Sequence, residues 1–170
     1  MRTFLPFAFL LAGCSSLFSS HDGTYLLTSR LVGDSCDPEN PDIGEESQAF
    51  VSMYKTSQSL VLDIGGTLLT GEKASGQDFE VSWSTGYTTS FDGCDSYRSD
   101  DSLTVTGTFT SDLGFEGTAK STSLVAVDNC DFAENTNCTY SYALTAMKLD
   151  AETDRRPTGS IAWGYFTGGY

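Results

Sequence analysis

Histidine is almost missing from this 170-residue chain: it occurs once, at His21. A triad or metal cluster built on core histidines is therefore excluded. Lysine and arginine are scarce as well, 9 against 23 aspartates and glutamates, which leaves a net charge of −14. A surface of that sign repels phosphate backbones, so nucleic acid is excluded as a partner. Nowhere do about 20 apolar residues run together, as a transmembrane helix requires. Nor do apolar residues recur every three to four positions over a long stretch, so helices are not expected. The cysteines include no C-x2-C pair and have no histidine near them, which argues against zinc. Acidic loops could supply oxygen ligands for calcium, but neither the EF-hand nor the nonapeptide pattern is present. No metal or cofactor is expected.

What the chain does have is alternation. Threonine, serine and glycine are plentiful, and apolar residues appear at every second position. "GTYLLTSRLVG" from Gly23 puts Tyr25, Leu27 and Leu31 on one face. "QAFVSMYK", "SLVLDI" and "TLLTGEK" follow. "QDFEVSWS" alternates Phe79, Val81 and Trp83 with polar residues, and "SLTVTGTFT" does the same with Leu103, Val105 and Phe109. "GFEGTAKSTSLVAV" and "CTYSYALTAMKL" bring the count to eight strands. One apolar and one polar face on each strand suits a single sheet closed on its own core. The expectation is an all-β, eight-stranded antiparallel up-and-down β-barrel, closure removing exposed edges; a two-sheet β-sandwich is the alternative. In architecture, and in the Gly23-x-Tyr25 opening, the chain loosely resembles lipocalin-like and avidin-like barrels. The fuller Gly-x-Trp signature and the helix after a lipocalin barrel are lacking.

Ahead of the strands, Arg2 precedes an apolar run from Phe4 to Leu11 that ends in Leu11-Ala12-Gly13-Cys14. The run has the length of a signal segment's apolar part. Those four positions resemble the lipobox of bacterial lipoproteins. The resemblance implies that Cys14 is lipidated (palmitate being one such acyl chain) and becomes residue one of a membrane-anchored protein. Ser15 after it implies onward transport to the outer membrane. The chain then divides into a signal peptide (1–13), the lipidated cysteine with a short linker (14–22), the barrel (23–149) and a Gly/aromatic tail (150–170).

Four cysteines remain, an even number in an exported chain, so two disulfides are the default among three connectivities. In an up-and-down barrel, successive connections alternate between the two ends. The stretches 33–46, 87–101 and 128–137 read as long loops, and parity gathers them, with the Gly65-Gly66 turn, at one end, the mouth. The pairing expected from loop proximity is Cys36–Cys94 and Cys130–Cys138. Thirteen of the 23 carboxylates also fall in these stretches, a field that attracts cations or basic partners.

"VLDIGGTLLTG" resembles the phosphate-binding opening of actin-like sugar kinases, which implies a metal-side Asp63 and phosphate contacts at Gly65, Gly66 and Thr67. Between two apolar strands it reads better as a two-residue hairpin turn. No carboxylate pair stands out for acid–base work. The chain therefore reads as non-enzymatic. Two functions fit. In one, a small ligand sits inside the barrel among Tyr25, Phe79, Trp83, Phe109, Phe115, Tyr140 and Tyr142; in the competing packing, those rings fill a dry core. In the other function, the acidic mouth loops or the tail bind another envelope protein. The tail, with Arg155, Arg156, Trp163, Tyr165, Phe166 and Tyr170, suits either a membrane interface or the barrel's outer wall.

Overall fold

The computed structural model describes residues 21–72 and 76–150. Cys14, the signal segment, most of the linker and the tail beyond Asp150 lie outside the described residues. Eight strands follow in order: β1 (Gly23–Asp34), β2 (Glu46–Lys55), β3 (Ser59–Ile64), β4 (Thr67–Glu72), β5 (Asp78–Phe91), β6 (Cys94–Ser111), β7 (Gly114–Cys130) and β8 (Thr136–Asp150). Each pairs antiparallel with the next, and β8 returns to β1, closing the barrel. This is the expected up-and-down barrel, not a sandwich.

The apolar alternation is what faces inward. Tyr25, Leu27, Val51, Met53, Leu60, Leu62, Leu69, Val81, Val105, Phe109 and Phe115 are all at most 1% exposed and form one cluster. Their burial, at roughly 25 cal/mol per Å² of apolar surface, is the main force for closure. On β3 the alternation is only half informative. Val61 and Asp63, like Ser52 beside them on β2, point away from that cluster and are nevertheless buried.

Gly107 on β6 sits opposite Gly117 on β7 and Phe79 on β5. A Cβ on Gly107 would lie 2.5 Å from Phe79 Cζ, so the missing side chain is the space that the Phe79 ring occupies. Gly65 and Gly66 have φ of 61° and 95°, the left-handed values a tight two-residue hairpin demands. The Gly66 N–H donates to Asp63 Oδ1 at 2.9 Å. Gly65-Gly66 is thus the expected two-residue hairpin turn between β3 and β4, and Asp63 caps it.

Strand lengths differ from the sequence-based expectation in one region. The stretch 87–101 is not a loop: β5 runs to Phe91, turns at Asp92-Gly93, and β6 starts at Cys94. Asp-Gly is a strong hairpin signal, and Gly93 has the positive φ of 80° it supplies. Likewise β7 extends to Cys130. At about 3.3 Å per residue, the 6-residue β3 and β4 reach only a third as far as the 18-residue β6. The barrel is therefore lopsided. One wall, built from the upper parts of β5 to β8 with the end of β1, rises as a blade above the short strands.

At the opposite end, the base, His21 and Asp22 pack against the barrel. His21 stacks on Phe109 with ring centroids 3.6 Å apart, and Tyr25 Oη donates to the His21 carbonyl at 2.6 Å. The Lys55 N–H donates to Asp22 Oδ1 at 3.0 Å. His21 and Asp22, read from the sequence as linker, belong to the packed base.

Candidate functional site

The two disulfides brace the mouth, in a pairing other than the expected one. Cys36 is bonded to Cys138 and Cys94 to Cys130, with Cα–Cα distances of 5.3 and 4.0 Å. Register explains the correction. Asp34 pairs with Tyr140 across the β1–β8 seam, so continuing that ladder by two residues brings Cys36 opposite Cys138. Cys94 and Cys130 are direct partners in the β6–β7 ladder. The expected Cys130–Cys138 bond fails because Cys138 lies opposite Ser123, seven residues down β7 from Cys130. The expected Cys36–Cys94 bond fails with it, both sulfurs being engaged along their own ladders.

Above the core, the blade's inner face carries rings. Trp83 and Tyr142 pack partly buried on top of the core cluster. Higher up, Tyr87 lies 6.0 Å from Tyr97, Tyr97 5.9 Å from Phe91, and Phe91 5.5 Å from Phe132, centroid to centroid. The pleat puts Tyr87, Thr89 and Phe91 on the same side of β5 as Trp83. Tyr87, Phe91 and Phe132 are 50%, 46% and 61% exposed, an aromatic row at the rim. These residues were not singled out in the sequence, although the alternation Tyr87-x-Thr89-x-Phe91 and the Asp92-Gly93 turn both signalled them.

The seven residues considered for a ligand within the barrel divide by height. Tyr25, Phe79, Phe109 and Phe115 are at most 5% exposed. Their rings touch one another, with Phe79–Phe109 at 4.9 Å and Phe79–Phe115 at 5.1 Å. Burial, aided by Asp22 and Asp112, pushes the Tyr25 hydroxyl up to about 12, so it stays protonated. Trp83, Tyr140 and Tyr142 stand above this layer, only partly buried, where the blade begins.

Carboxylates surround the rings. Asp92, Asp95, Asp128 and Asp131 sit at or beside the blade's tip, and Asp37, Glu39, Asp42 and Glu45 in the loop after β1. Some are engaged internally. Asp34 accepts from the N–H groups of Cys36 and Asp37 at 2.9 and 3.1 Å and from Asn40 Nδ2 at 2.9 Å. Burial raises its pKa, but those three donors outweigh it, led by Asn40, and hold the carboxyl below its usual range. Asp34 thus fixes the loop's shape instead of facing a partner. Arg98 is paired with Asp100 at 2.6 Å, and Asn129 Nδ2 donates to Asp95 at 2.8 Å.

A concavity of about 900 Å³ lies away from the mouth, outside the barrel over Gly71, Gly107 and Gly117. Its hydroxyls serve each other and the sheet, Thr106 bonding Thr118 at 3.0 Å and Thr108 donating to Asp78 at 2.7 Å. No aromatic ring is exposed among its lining residues, so the mouth is the stronger candidate.

No protein-family model matches the chain, and neither a curated protein nor a solved structure matches it.

Proposed function

We propose that the chain is a lipid-anchored cell-envelope protein, without enzymatic activity, that binds a protein partner at the mouth of its barrel. The observation that carries this reading is the row Tyr87–Tyr97–Phe91–Phe132, held on a braced blade and ringed by acids. Exposed aromatic rings on a rigid support, with a charged rim, are the usual anatomy of a protein-binding surface. The base half is filled by four touching rings, which speaks for packing there.

Cys14 supplies the anchor, in the outer membrane. Nine residue steps separate it from Gly23, at most about 30 Å of chain. Because β1 starts at the base, the base faces the bilayer and the acidic mouth faces away, as repulsion from anionic headgroups also favours.

A second reading has its own observation. Trp83 and Tyr142, partly buried over the core, form an apolar floor on which a small ligand could stack. Native mass spectrometry of the protein purified from its own cells separates the two. A bound protein released by high salt supports the mouth reading; a retained small molecule with no bound protein overturns it.

A further inference from the structure

We propose that the upper part of β5, from Gly86 to Phe91, is a docking edge on which an extended, basic polypeptide segment adds as a further strand. The proposal rests on the mouth-binding reading and names the partner's chemistry.

The hydrogen-bond phase of β5 carries it. The Phe109 N–H donates to the Gln77 carbonyl at 2.9 Å, and these two face each other one step beyond the Asp78–Thr108 pair. In an antiparallel ladder, bonded and non-bonded pairs alternate. Odd-numbered β5 residues therefore bond to β6, while even-numbered ones aim their N–H and C=O groups at the other side. Low on the strand that side is β4, where Thr70 pairs with Ser82. β4 begins only at Thr67, which this register sets opposite Thr85. Above it, among the described residues, no strand lies on that side of β5. Gly86, Thr88 and Ser90 are exposed, and their backbone groups point there.

Exposed edges are ordinarily blunted by lysine, proline or inward charge. "GYTTSF" has none of these, and its threonines and rings favour pairing. An incoming strand would set alternate side chains beside Tyr87, Thr89 and Phe91, and the others on the outer face. There the Asp100 carboxylate lies over Gly86 already paired with Arg98, which stands opposite Thr88, so the outer face beside the edge is balanced in charge.

Charge decides the occupant. The tip carries Asp92 and, close by, Asp95 and Asp131, within a chain of net charge −14. Two copies meeting edge to edge would set these acids against each other, whereas a lysine- or arginine-rich strand is drawn in.

The test uses the full chain in mild detergent and a fluorescent peptide of alternating lysine and valine, followed by anisotropy. Its control is the same peptide N-methylated at alternate amides, which keeps the charge but cannot donate to a sheet edge. The expected result is saturable binding of the first peptide, weakened about tenfold or more by N-methylation and by Thr88→Pro. Proline at position 88 removes an N–H that β6 does not use, and unchanged near-UV circular dichroism checks the fold. Equal binding of both peptides, with loss on Tyr97→Ala, overturns strand addition and leaves the mouth reading standing. No binding of either peptide, or dimerisation through β5 in sedimentation, overturns the basic-strand proposal.

Discussion

Removing the disulfides one at a time should cost unequal amounts, in an order set by topology. Cys36–Cys138 closes a separation of 102 residues and Cys94–Cys130 one of 36. In the chain-entropy account, those loops restrict the unfolded chain by about 4.7 and 3.8 kcal/mol. Against a total stability of about 5–15 kcal/mol, either loss is large. The native fold should survive both. The seam keeps the Ser35 N–H to Thr139 carbonyl bond at 2.9 Å and the Thr139 N–H to Ser35 Oγ bond at 2.7 Å. Below Cys94–Cys130, β6 and β7 stay paired down to Ser111 and Gly114. Urea unfolding of Cys36→Ala/Cys138→Ala and Cys94→Ala/Cys130→Ala, with the remaining bond intact, measures the two costs. At an m of about 2 kcal/mol/M, the first midpoint should fall about 0.5 M further than the second. Equal midpoints, or the reverse order, would refute the entropic argument. The pairing has a sharper check: Cys36→Ala should leave Cys138 as the alkylatable thiol, and alkylation of Cys94 instead would refute the register.

Gly107→Ala should destabilise by about 1–3 kcal/mol, because its Cβ displaces Phe79, which is wedged between Phe109 and Phe115. Adding Phe79→Leu should cost less than the sum of the two single changes in urea titrations, and strict additivity would contradict the contact. Burial first, and Lys55 next, hold the His21 imidazole below its ordinary pKa, against Asp112. The unfolded imidazole takes up a proton at higher pH than the folded one. Its contribution is thus fully present above about pH 6.5 and lost as the pH falls below that. Melting temperatures of His21→Leu should lose this step, and an undiminished step would contradict it. Cys14→Ser should abolish fatty-acid labelling and membrane association; continued labelling would defeat the anchor.

Much of the fold was legible because alternation reports burial directly. Leu60, Leu62 and Ile64, or Phe79, Val81 and Trp83, could face only one way in a closed sheet, and strand count with parity then placed both ends. The disulfide pairing was not legible, since it depends on register along the β1–β8 seam, whose partners lie at opposite ends of the chain. The blade was missed for another reason. "STGYTTSFDGCDSYRSDD" has few aliphatic residues, since its strands stand clear of the core, and polar exposed strands look like loops. The mouth rings went unread with it, while the core rings Tyr25, Phe109 and Phe115 stood in apolar alternation.

The claim that function resides at the mouth is tested most directly by photo-crosslinking in intact cells. One photoreactive residue replaces Thr89 on the blade's inner face, and another replaces Asp112 in the base turn between β6 and β7. The account predicts a discrete protein adduct from position 89, suppressed by Thr88→Pro or by high salt, and none from position 112. An adduct from position 112 with none from position 89 would contradict it.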